Sequence, residues 1–168
     1  MSSPDRPLNL RVAVRGLVLD EHDHLLLVRF VFPTAQVWAL PGGGLWPDES
    51  PEAGLRREFR EELGLTQFEI GPHIWNRVHV IPMTSGHDGQ RDRIHVVRVD
   101  RFDPEPTIGW DAMRAEYVHE MRWWSLAEIE ASTASGTAPV RFAPRRLAAL
   151  TRALLDEGVP QVPIETGK

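Results

Sequence analysis

The segment 41–65 constrains the fold more than any other part of the chain. It opens with a Pro-Gly-Gly-Gly run that ends any preceding strand, because proline and glycine both interrupt regular structure. Ser50 then has the side chain of a helix N-cap, and Pro51 suits the first helical turn. Gly64 suits the residue that ends a helix. The pattern predicts a loop followed by one sharply bounded helix.

This helix has an apolar stripe and an acidic face. Apolar residues spaced four apart lie on one side and should face the core: Leu55, Phe59 and Leu63. Carboxylates fall together on an adjacent face, because positions three and four apart are neighbours on a helix: Glu58, Glu61 and Glu62. Like charges at this spacing cost about 0.2–0.5 kcal/mol per pair, so the face needs an explanation.

Two interpretations of the acidic face compete. One is a solvated surface whose charge is partly offset by the neighbouring arginines Arg56, Arg57 and Arg60. The other is a site for Mg²⁺ or Mn²⁺, since these ions prefer oxygen ligands and use few protein carboxylates. The residues before the helix decide between them.

Gly43, five residues, Glu49, seven residues and then Arg57–Leu65 follow the pattern G-x5-E-x7-R-E-U-x-E-E-x-G-U without a gap, where U is apolar. This is the Nudix box, and the chain resembles the Nudix hydrolase family. Two neighbouring segments agree with the resemblance: Trp38–Gly44 before the box and Arg122–Leu126 after it. Phe59 fills a slot that is usually aliphatic, and Asp48 stands where glycine is common.

The resemblance implies a fold of the α/β (α+β) class, an α/β/α sandwich with a mixed β-sheet. It implies hydrolysis of a diphosphate linkage in a nucleoside diphosphate joined to another moiety, with Mg²⁺ or Mn²⁺ as cofactor. The positions that match the family's metal ligands are Glu58, Glu61, Glu62 and the backbone carbonyl of Gly42. Glu61, Glu62 and Arg57 take catalytic roles, Arg57 by orienting a carboxylate. The positions expected to support cofactor and substrate binding are Gly43, Glu49 and Trp46.

The general base varies within the family, and acidic residues before Trp123 are further candidates. Asp111, Glu116 and Glu120 precede that strand, and we single out Glu116 and Glu120. Trp46, Trp75 and Trp110 could stack on a base, with Trp46 favoured because it lies in the box loop. The pair His22 and His24 suits solvated turn residues better than metal ligands.

The remaining chain alternates predicted strands and helices, which also favours a layered α/β or α+β domain. We predict a hairpin of Leu8–Leu19 with Leu25–Phe30, and later strands at Phe68–Ile74, Arg77–Ile81, Ile94–Asp100 and Met121–Trp124. The polar loop Thr84–Arg91 joins two of these strands. Helices are predicted at Leu126–Ala131 and Pro144–Glu157, separated by a linker over 132–139.

Length and composition limit the alternatives. The 168 residues suit one domain over 1–168, with a frayed leader over 1–7 and a loose tail over 158–168. A net charge of −5 without a basic run argues against binding a nucleic acid duplex. No apolar run could span a membrane, and no secretory signal precedes the domain, so we expect a cytoplasmic protein.

The absence of cysteine excludes disulfides, and it also argues against the related isoprenoid diphosphate isomerases, which use a catalytic cysteine. A nucleotide-sensing module without turnover is the alternative function, although such modules usually lose box residues that are intact here. The expected partner is a small nucleoside diphosphate derivative: ADP-ribose, a nucleotide sugar, a nucleoside triphosphate or a similar compound. Many relatives are homodimers, and dimer and monomer both stay open for this chain.

Overall fold

Nine strands and four helices are formed by residues 6–134 and 140–167, which are the residues that the computed structural model describes. The strands are β1 (Leu10–Leu19), β2 (Leu25–Val31), β3 (Gln36–Ala39), β4 (Gly42–Gly44), β5 (His73–Val80), β6 (Gly89–Arg98), β7 (Val118–Trp124), β8 (Phe142–Ala143) and β9 (Ile164–Glu165). The helices are α1 (Pro51–Leu63), α2 (Trp110–Ala115), α3 (Leu126–Ala134) and α4 (Leu147–Glu157).

The strands form one mixed sheet in the order β8-β3-β2-β1-β6-β5-β9, with β4 beside β1 and β7 beside β2. β1 runs parallel to β6 along its whole length. It meets β2 only where Leu19 lies opposite Leu25, so these two strands diverge beyond that pair. β4 lies antiparallel to β1, with Gly42–Gly44 opposite Ala13–Arg15. The glycine run is therefore anchored on β1.

Helices cover both faces of the sheet. Neighbouring strand residues point to opposite sides, and apolar side chains on both sides need a packing partner. On one face, α1 packs its predicted stripe against β1 and β2, in a core of Val14, Val18, Leu26, Leu55, Phe59, Leu63 and Val97. On the other face, α3 and α4 pack against a larger core that includes Leu17, Leu27, Trp38, Trp124, Ile129, Leu147 and Leu154. The predicted sandwich of helices around a mixed sheet is confirmed.

The hairpin of β1 and β2 exists only at its turn. The Asp20 backbone N–H donates to the His24 carbonyl at 3.1 Å, but β1 takes β6 and not β2 as its main partner. β6 lies on the opposite edge of β1, whereas β4 occupies the edge toward β2 at Ala13–Arg15, and this explains why the two strands separate.

The predicted strand Phe68–Ile74 is wrong for its first part, since β5 begins only at His73. Pro72 cannot donate a ladder hydrogen bond, and Phe68 packs its ring on Phe59 with centroids 5.1 Å apart. The predicted polar loop Thr84–Arg91 is shorter than expected, because β6 begins at Gly89 and is paired from there on both sides.

The predicted loose tail over 158–168 is also wrong in part, since Ile164–Glu165 forms β9 parallel to β5. The Thr166 backbone N–H then donates to the Asn76 carbonyl at 2.9 Å, and such pairing orders a short segment that lacks a periodic pattern. The first three residues of the predicted linker are helical, because α3 continues to Ala134. Residues 135–139, 1–5 and 168, on which parts of the linker, leader and tail predictions fall, lie outside the described residues.

In the part of the chain that the structure covers, none of the helices has the combined length and apolar character that crossing a membrane requires.

Candidate active site

α1 begins and ends where its sequence predicts. The Ser50 side chain accepts a hydrogen bond from the Ala53 backbone N–H at 3.1 Å, and Pro51 opens the helix. Gly64 ends it with φ of 66°, a left-handed conformation that costs glycine little. These caps fix the acidic face relative to the preceding loop.

Arg57 is the centre of the polar contacts on α1. Its guanidinium makes a two-pronged ion pair with Glu49, Nε to Oε2 at 2.9 Å and Nη2 to Oε1 at 2.8 Å. It also donates to the Glu58 carboxylate at 3.0 Å and to the Gly44 carbonyl at 3.0 Å. The hydrogen bonds to Glu49, and after them the charge of Glu58, raise the pKa of Arg57 against the effect of burial. Together with the bond to Gly44, these contacts hold loop, strand and helix in one arrangement.

Glu58 and Glu62 are the buried carboxylates of the site, with exposed fractions of 8% and 5%. Burial raises the pKa of Glu58, while Arg57 opposes the shift and Glu61 adds to it. Burial raises the pKa of Glu62 well above its usual range, and the negative charge of Glu58 raises it further. As anions, the two buried carboxylates repel each other and have lost most of their contact with water. A bound cation would offset both of these costs.

The glycine strand β4 lies directly against these carboxylates. The Gly42 backbone N–H donates to Glu62 Oε2 at 3.3 Å. A side chain on Gly43 could not be accommodated, because its Cβ would lie 2.6 Å from Glu58 Oε1. The structure therefore brings Gly42, Gly43, Glu58 and Glu62 together, as the box predicts.

Glu61 lies at the edge of this group. Its carboxylate is 31% exposed and lies 3.5 Å from Arg57 Nη1, one turn away on α1. Across residues 6–134 and 140–167, no three Asp, Glu or His side chains already surround a common point in metal-binding geometry. The carboxylates repel one another and Arg57 draws Glu58 and Glu61 toward itself.

The donor set nevertheless fits a hard divalent cation. Two buried carboxylates, a third at the surface and a backbone carbonyl are all oxygen donors, which Mg²⁺ and Mn²⁺ prefer. Burial raises the pKa of both Glu58 and Glu62, although Arg57 and Arg15 oppose the shift, so a bound cation would stabilise both carboxylates as anions.

The candidate bases lie in different surroundings. Glu120, on β7, is held by Arg29 Nε at 2.9 Å, and Asp111 is paired with Arg114 at 3.2 Å. Glu116 follows α2, is exposed, and its negative charge contributes to the raised pKa of Glu62. Glu116 is therefore the candidate base that we connect with the buried carboxylates.

The aromatic and histidine candidates separate clearly. Trp46 is 60% exposed and lies over the Arg57 guanidinium, 4.1 Å from the guanidinium carbon to the ring centroid. Trp75 is 1% exposed, so it belongs to the core and cannot stack on a base. Trp110 is half-buried against the cluster around Met113, which also favours packing.

His24 faces Asp20, with 3.5 Å between Nδ1 and Oδ2, and lies in the turn after β1. This position agrees with a turn residue.

Sequence reasoning missed a set of charged residues on β1, β5 and β6. Arg15 Nε lies 3.1 Å from Asp92 Oδ1, and Arg77 Nη1 lies 3.4 Å from Asp92 Oδ2. Arg15 also donates to the Leu40 carbonyl at 3.0 Å, next to the glycine strand. The sequence did contain one signal. Arg11 and Arg15 are four residues apart in a Val-rich strand, and residues an even number apart lie on the same face of a strand.

A surface cleft of about 680 Å³ lies elsewhere, at the end of α1, and is lined by Leu63–Gln67 and by residues 102, 103 and 105–107. Its lining includes none of the predicted site residues.

Comparison with known proteins gives a family match over most of the chain. The family model described as NUDIX domain matches residues 9–144. Nucleoside triphosphatase NudI of Escherichia coli O1:K1 / APEC is 44% identical over 71 residues, which are 41% of this chain and 48% of that protein. The chain thus matches about half the length of these curated relatives.

Two solved structures share the fold. The MutT protein from Methanosarcina mazei Go1 aligns with a TM-score of 0.60 at 22% identity, over 92% of this chain and 98% of its own. The NUDIX domain of Shewanella oneidensis NrtR, solved in complex with ADP ribose, aligns with a TM-score of 0.63 at 20% identity, over 91% and 93%. With the domain match covering most of its length and the box residues gathered around α1, the chain belongs to the Nudix family.

Proposed function

We propose that this protein is a divalent-metal-dependent hydrolase that cleaves a diphosphate linkage in a nucleoside diphosphate derivative. The observation that carries the proposal is the buried pair Glu58 and Glu62 beside the glycine strand, inside the matched domain. Relatives support the substrate class, since NudI is named a nucleoside triphosphatase and the NrtR domain was solved with ADP ribose.

Glu58, Glu62, Glu61 and the Gly42 carbonyl are the groups that would hold Mg²⁺ or Mn²⁺. The cation supplies positive charge that neutralises the phosphates and makes a water molecule more acidic. Glu61 is the ligand with the most freedom to adjust, because it is the most exposed of the three carboxylates.

Arg57 is a positioning residue in this proposal. Its Nη1 donates to the Glu58 carboxylate, while Nε donates to Glu49 and Nη2 to the Gly44 carbonyl. Because Gly43 leaves room for the Glu58 carboxylate, Gly43→Ala should displace that carboxylate and weaken cation binding.

Glu116 is the acidic residue that we propose as proton acceptor. Glu120 is engaged by Arg29 at 2.9 Å, whereas none of the described residues forms an ion pair with Glu116. Transfer of a proton to a positioned base contributes about 10²–10⁴-fold in rate. Glu116→Gln should therefore lower kcat by about that factor, and Glu120→Gln should lower it much less.

The pH profile separates a base from a structural residue. If Glu116 accepts the proton, the acid limb of the kcat profile changes shape in Glu116→Gln, while circular dichroism and Tm stay close to wild type. An unchanged acid limb would remove Glu116 from this role.

Trp46 is proposed as a contact for substrate at the rim of the site. Its indole covers Arg57 and leaves the opposite ring face to solvent, where a flat group could stack. A rise in KM in Trp46→Ala, with little change in kcat, is the expected result.

The test of the function is an incubation of the full chain with Mg²⁺ or Mn²⁺ and a panel of ADP-ribose, nucleotide sugars, dinucleoside polyphosphates and nucleoside triphosphates. Product chromatography should show cleavage at a diphosphate bond only when metal is present. Glu58→Gln and Glu62→Gln should abolish it, while Glu52→Gln, which removes the same charge from an exposed position of α1, should not. Tight nucleotide binding without turnover under both metals would instead identify a sensing module.

A further inference from the structure

Three arginine side chains share one face of the sheet beside the candidate active site. On β1, Arg11 and Arg15 are separated by Ala13, so all three point to the same side. Ala13 lies opposite Asp92 on β6, and Asp92 lies opposite Arg77 on β5. The register therefore places Arg11, Arg15 and Arg77 on one face, and we call these three residues the arginine cluster.

Positive charge exceeds negative charge within this group. Asp92 is shared by Arg15 and Arg77, at 3.1 and 3.4 Å, and accepts a further hydrogen bond from Gln90 at 2.7 Å. Arg11 has no ion pair with any acidic side chain in the described parts of the chain, 6–134 and 140–167. Asp92 thus serves two guanidinium groups, Glu62 and Glu58 act on Arg15 only through space, and Arg11 adds a third positive charge on the same face.

Arg77 is paired with Asp92 but is not fully hydrogen-bonded. Its Nε is buried and has no hydrogen-bond partner within the described ranges. Burial lowers the pKa of Arg77, Asp92 opposes that shift, and the positive charges of Arg15 and Arg145 lower it further. Repulsion between these cations is a cost that an anion bound among them would remove.

The cluster adjoins the glycine strand. Arg15 Nη1 donates to the Leu40 carbonyl at 3.0 Å and lies 3.4 Å from the Gly42 carbonyl. The Arg11 guanidinium lies against Gly44, where a Cβ would come within 2.0 Å of Nη2. The same strand contacts the buried carboxylates from its other atoms, since the Gly42 N–H donates to Glu62. An anion at the cluster would therefore be a neighbour of any group held by Glu58 and Glu62.

We propose that the arginine cluster binds the phosphoryl groups of a triphosphate tail, which makes a nucleoside triphosphate the preferred substrate class. The inference rests on the proposed hydrolase function and deepens it. Planar guanidinium groups pair well with phosphate oxygens, and several such groups suit a chain of phosphates. A nucleotide sugar carries an uncharged ring beyond its diphosphate, so additional cations at that place would not strengthen its binding.

A purely structural role accounts for only part of the cluster. Arg15, Asp92 and Arg77 form a buried ion network that could serve stability alone. Arg11 contributes to no such network, and its guanidinium is spread over Gly44 without an acidic partner among the described residues. Arg11 is therefore the residue at which binding and stability can be separated.

The experiment measures binding of inorganic triphosphate to the full chain by calorimetry, with EDTA present so that metal-mediated binding is excluded. Arg11→Gln removes a cluster charge without breaking an ion pair of the described residues. Arg91→Gln is the matched control, because Arg91 lies on β6 next to Asp92 and therefore points to the opposite face, with its side chain half exposed. Wild type and the control should bind alike, and Arg11→Gln should bind about tenfold more weakly or worse.

Kinetics with metal give the second readout. In Arg11→Gln, KM for a nucleoside triphosphate should rise by about tenfold while KM for ADP-ribose stays near wild type. A rise of both KM values by the same factor, or unchanged triphosphate binding in Arg11→Gln, would overturn the subsite.

The two proposals can fail separately. If wild type hydrolyses a compound of the panel but Arg11→Gln binds triphosphate as tightly as wild type, the proposed subsite is refuted and the hydrolase function stands. If wild type hydrolyses nothing while triphosphate binding still depends on Arg11 and not on Arg91, the hydrolase function is wrong and the anion subsite stands.

Discussion

The ring of Phe59 on α1 occupies the space that Gly16 leaves on β1. A Cβ on Gly16 would lie 2.4 Å from the Phe59 Cζ atom, far inside van der Waals contact. Phe59 itself is completely buried. A large residue in a helix slot that is usually aliphatic is thus matched by the smallest residue on the facing strand.

We expect Gly16→Ala to lower the free energy of unfolding by about 1–3 kcal/mol, because an added methyl group overfills this contact. Phe59→Leu should recover much of that loss in the double variant, since the shorter side chain vacates the space. Urea denaturation of both single variants and the double variant gives the coupling energy. Strictly additive losses would show that the two residues do not compete for the same volume.

Cation binding should stabilise the protein through Glu58 and Glu62. At a Mn²⁺ concentration of about 100 times Kd, binding adds about 2.7 kcal/mol to the free energy of unfolding, so thermal scans should show a higher Tm. Glu58→Gln removes a proposed ligand and should reduce this rise, while exposed Glu52→Gln should preserve it. Equal Tm shifts in both variants would place the cation elsewhere.

Asp20 should make stability depend on pH in the acid range. Burial alone would raise the pKa of Asp20, but N–H groups of His24 and His22 and the positive charges of His24 and Arg101 outweigh it and lower the pKa. Because the folded value lies below the unfolded one, Asp20 contributes its full stabilisation above about pH 4. That contribution is lost as the pH falls through the folded value.

Asp20→Asn should therefore lower the urea midpoint at neutral pH and flatten its dependence on pH below about 4. Asp23→Asn serves as control, because Asp23 is half exposed and its φ of 59° suits asparagine equally well. An acid limb that is as steep in Asp20→Asn as in wild type would assign the pH dependence to other carboxylates.

Asp48 has a φ of 63°, in the left-handed region, which explains why glycine is common at this place in the box. Asp48→Val should lower the free energy of unfolding by about 1–2 kcal/mol, since a β-branched residue is strained there. Asp48→Gly should be at least as stable as wild type. Thermal scans of the two variants test the difference, and equal Tm values would show that the backbone at 48 relaxes without strain.

The parts that sequence predicts well are those fixed by local signals. Ser50 and Gly64 set the bounds of α1 by hydrogen bonds to near neighbours, and the spacing of Glu58 and Glu62 puts both on one helix face. The parts that it misses depend on distant partners. β9 exists because β5 offers it a free edge, and β1 leaves β2 because β4, which follows β3 in the chain, takes that edge of β1.

The arginine cluster belongs to this second group. Charged residues on a strand normally indicate a solvated face. The residues that flank Arg15 and Asp92 in the sequence do not predict that these two side chains form an ion pair. The parallel register of β1 and β6 brings them together from 77 positions apart in numbering, 15 to 92. Tertiary pairing, not local pattern, creates the site.

Because β1 and β2 pair only where Leu19 lies opposite Leu25, exposed residues on either side of their divergence can change separately, although the two strands share both cores. β4, the arginine cluster and the face of α1 that carries the carboxylates all depend on β1 and its partners. β2, β3, β7 and β8 form the other side of the gap and carry Arg29, Trp38 and Glu120. Substitutions at exposed positions of that second part can reshape its surface while the glycine strand and the carboxylates of α1 keep their arrangement.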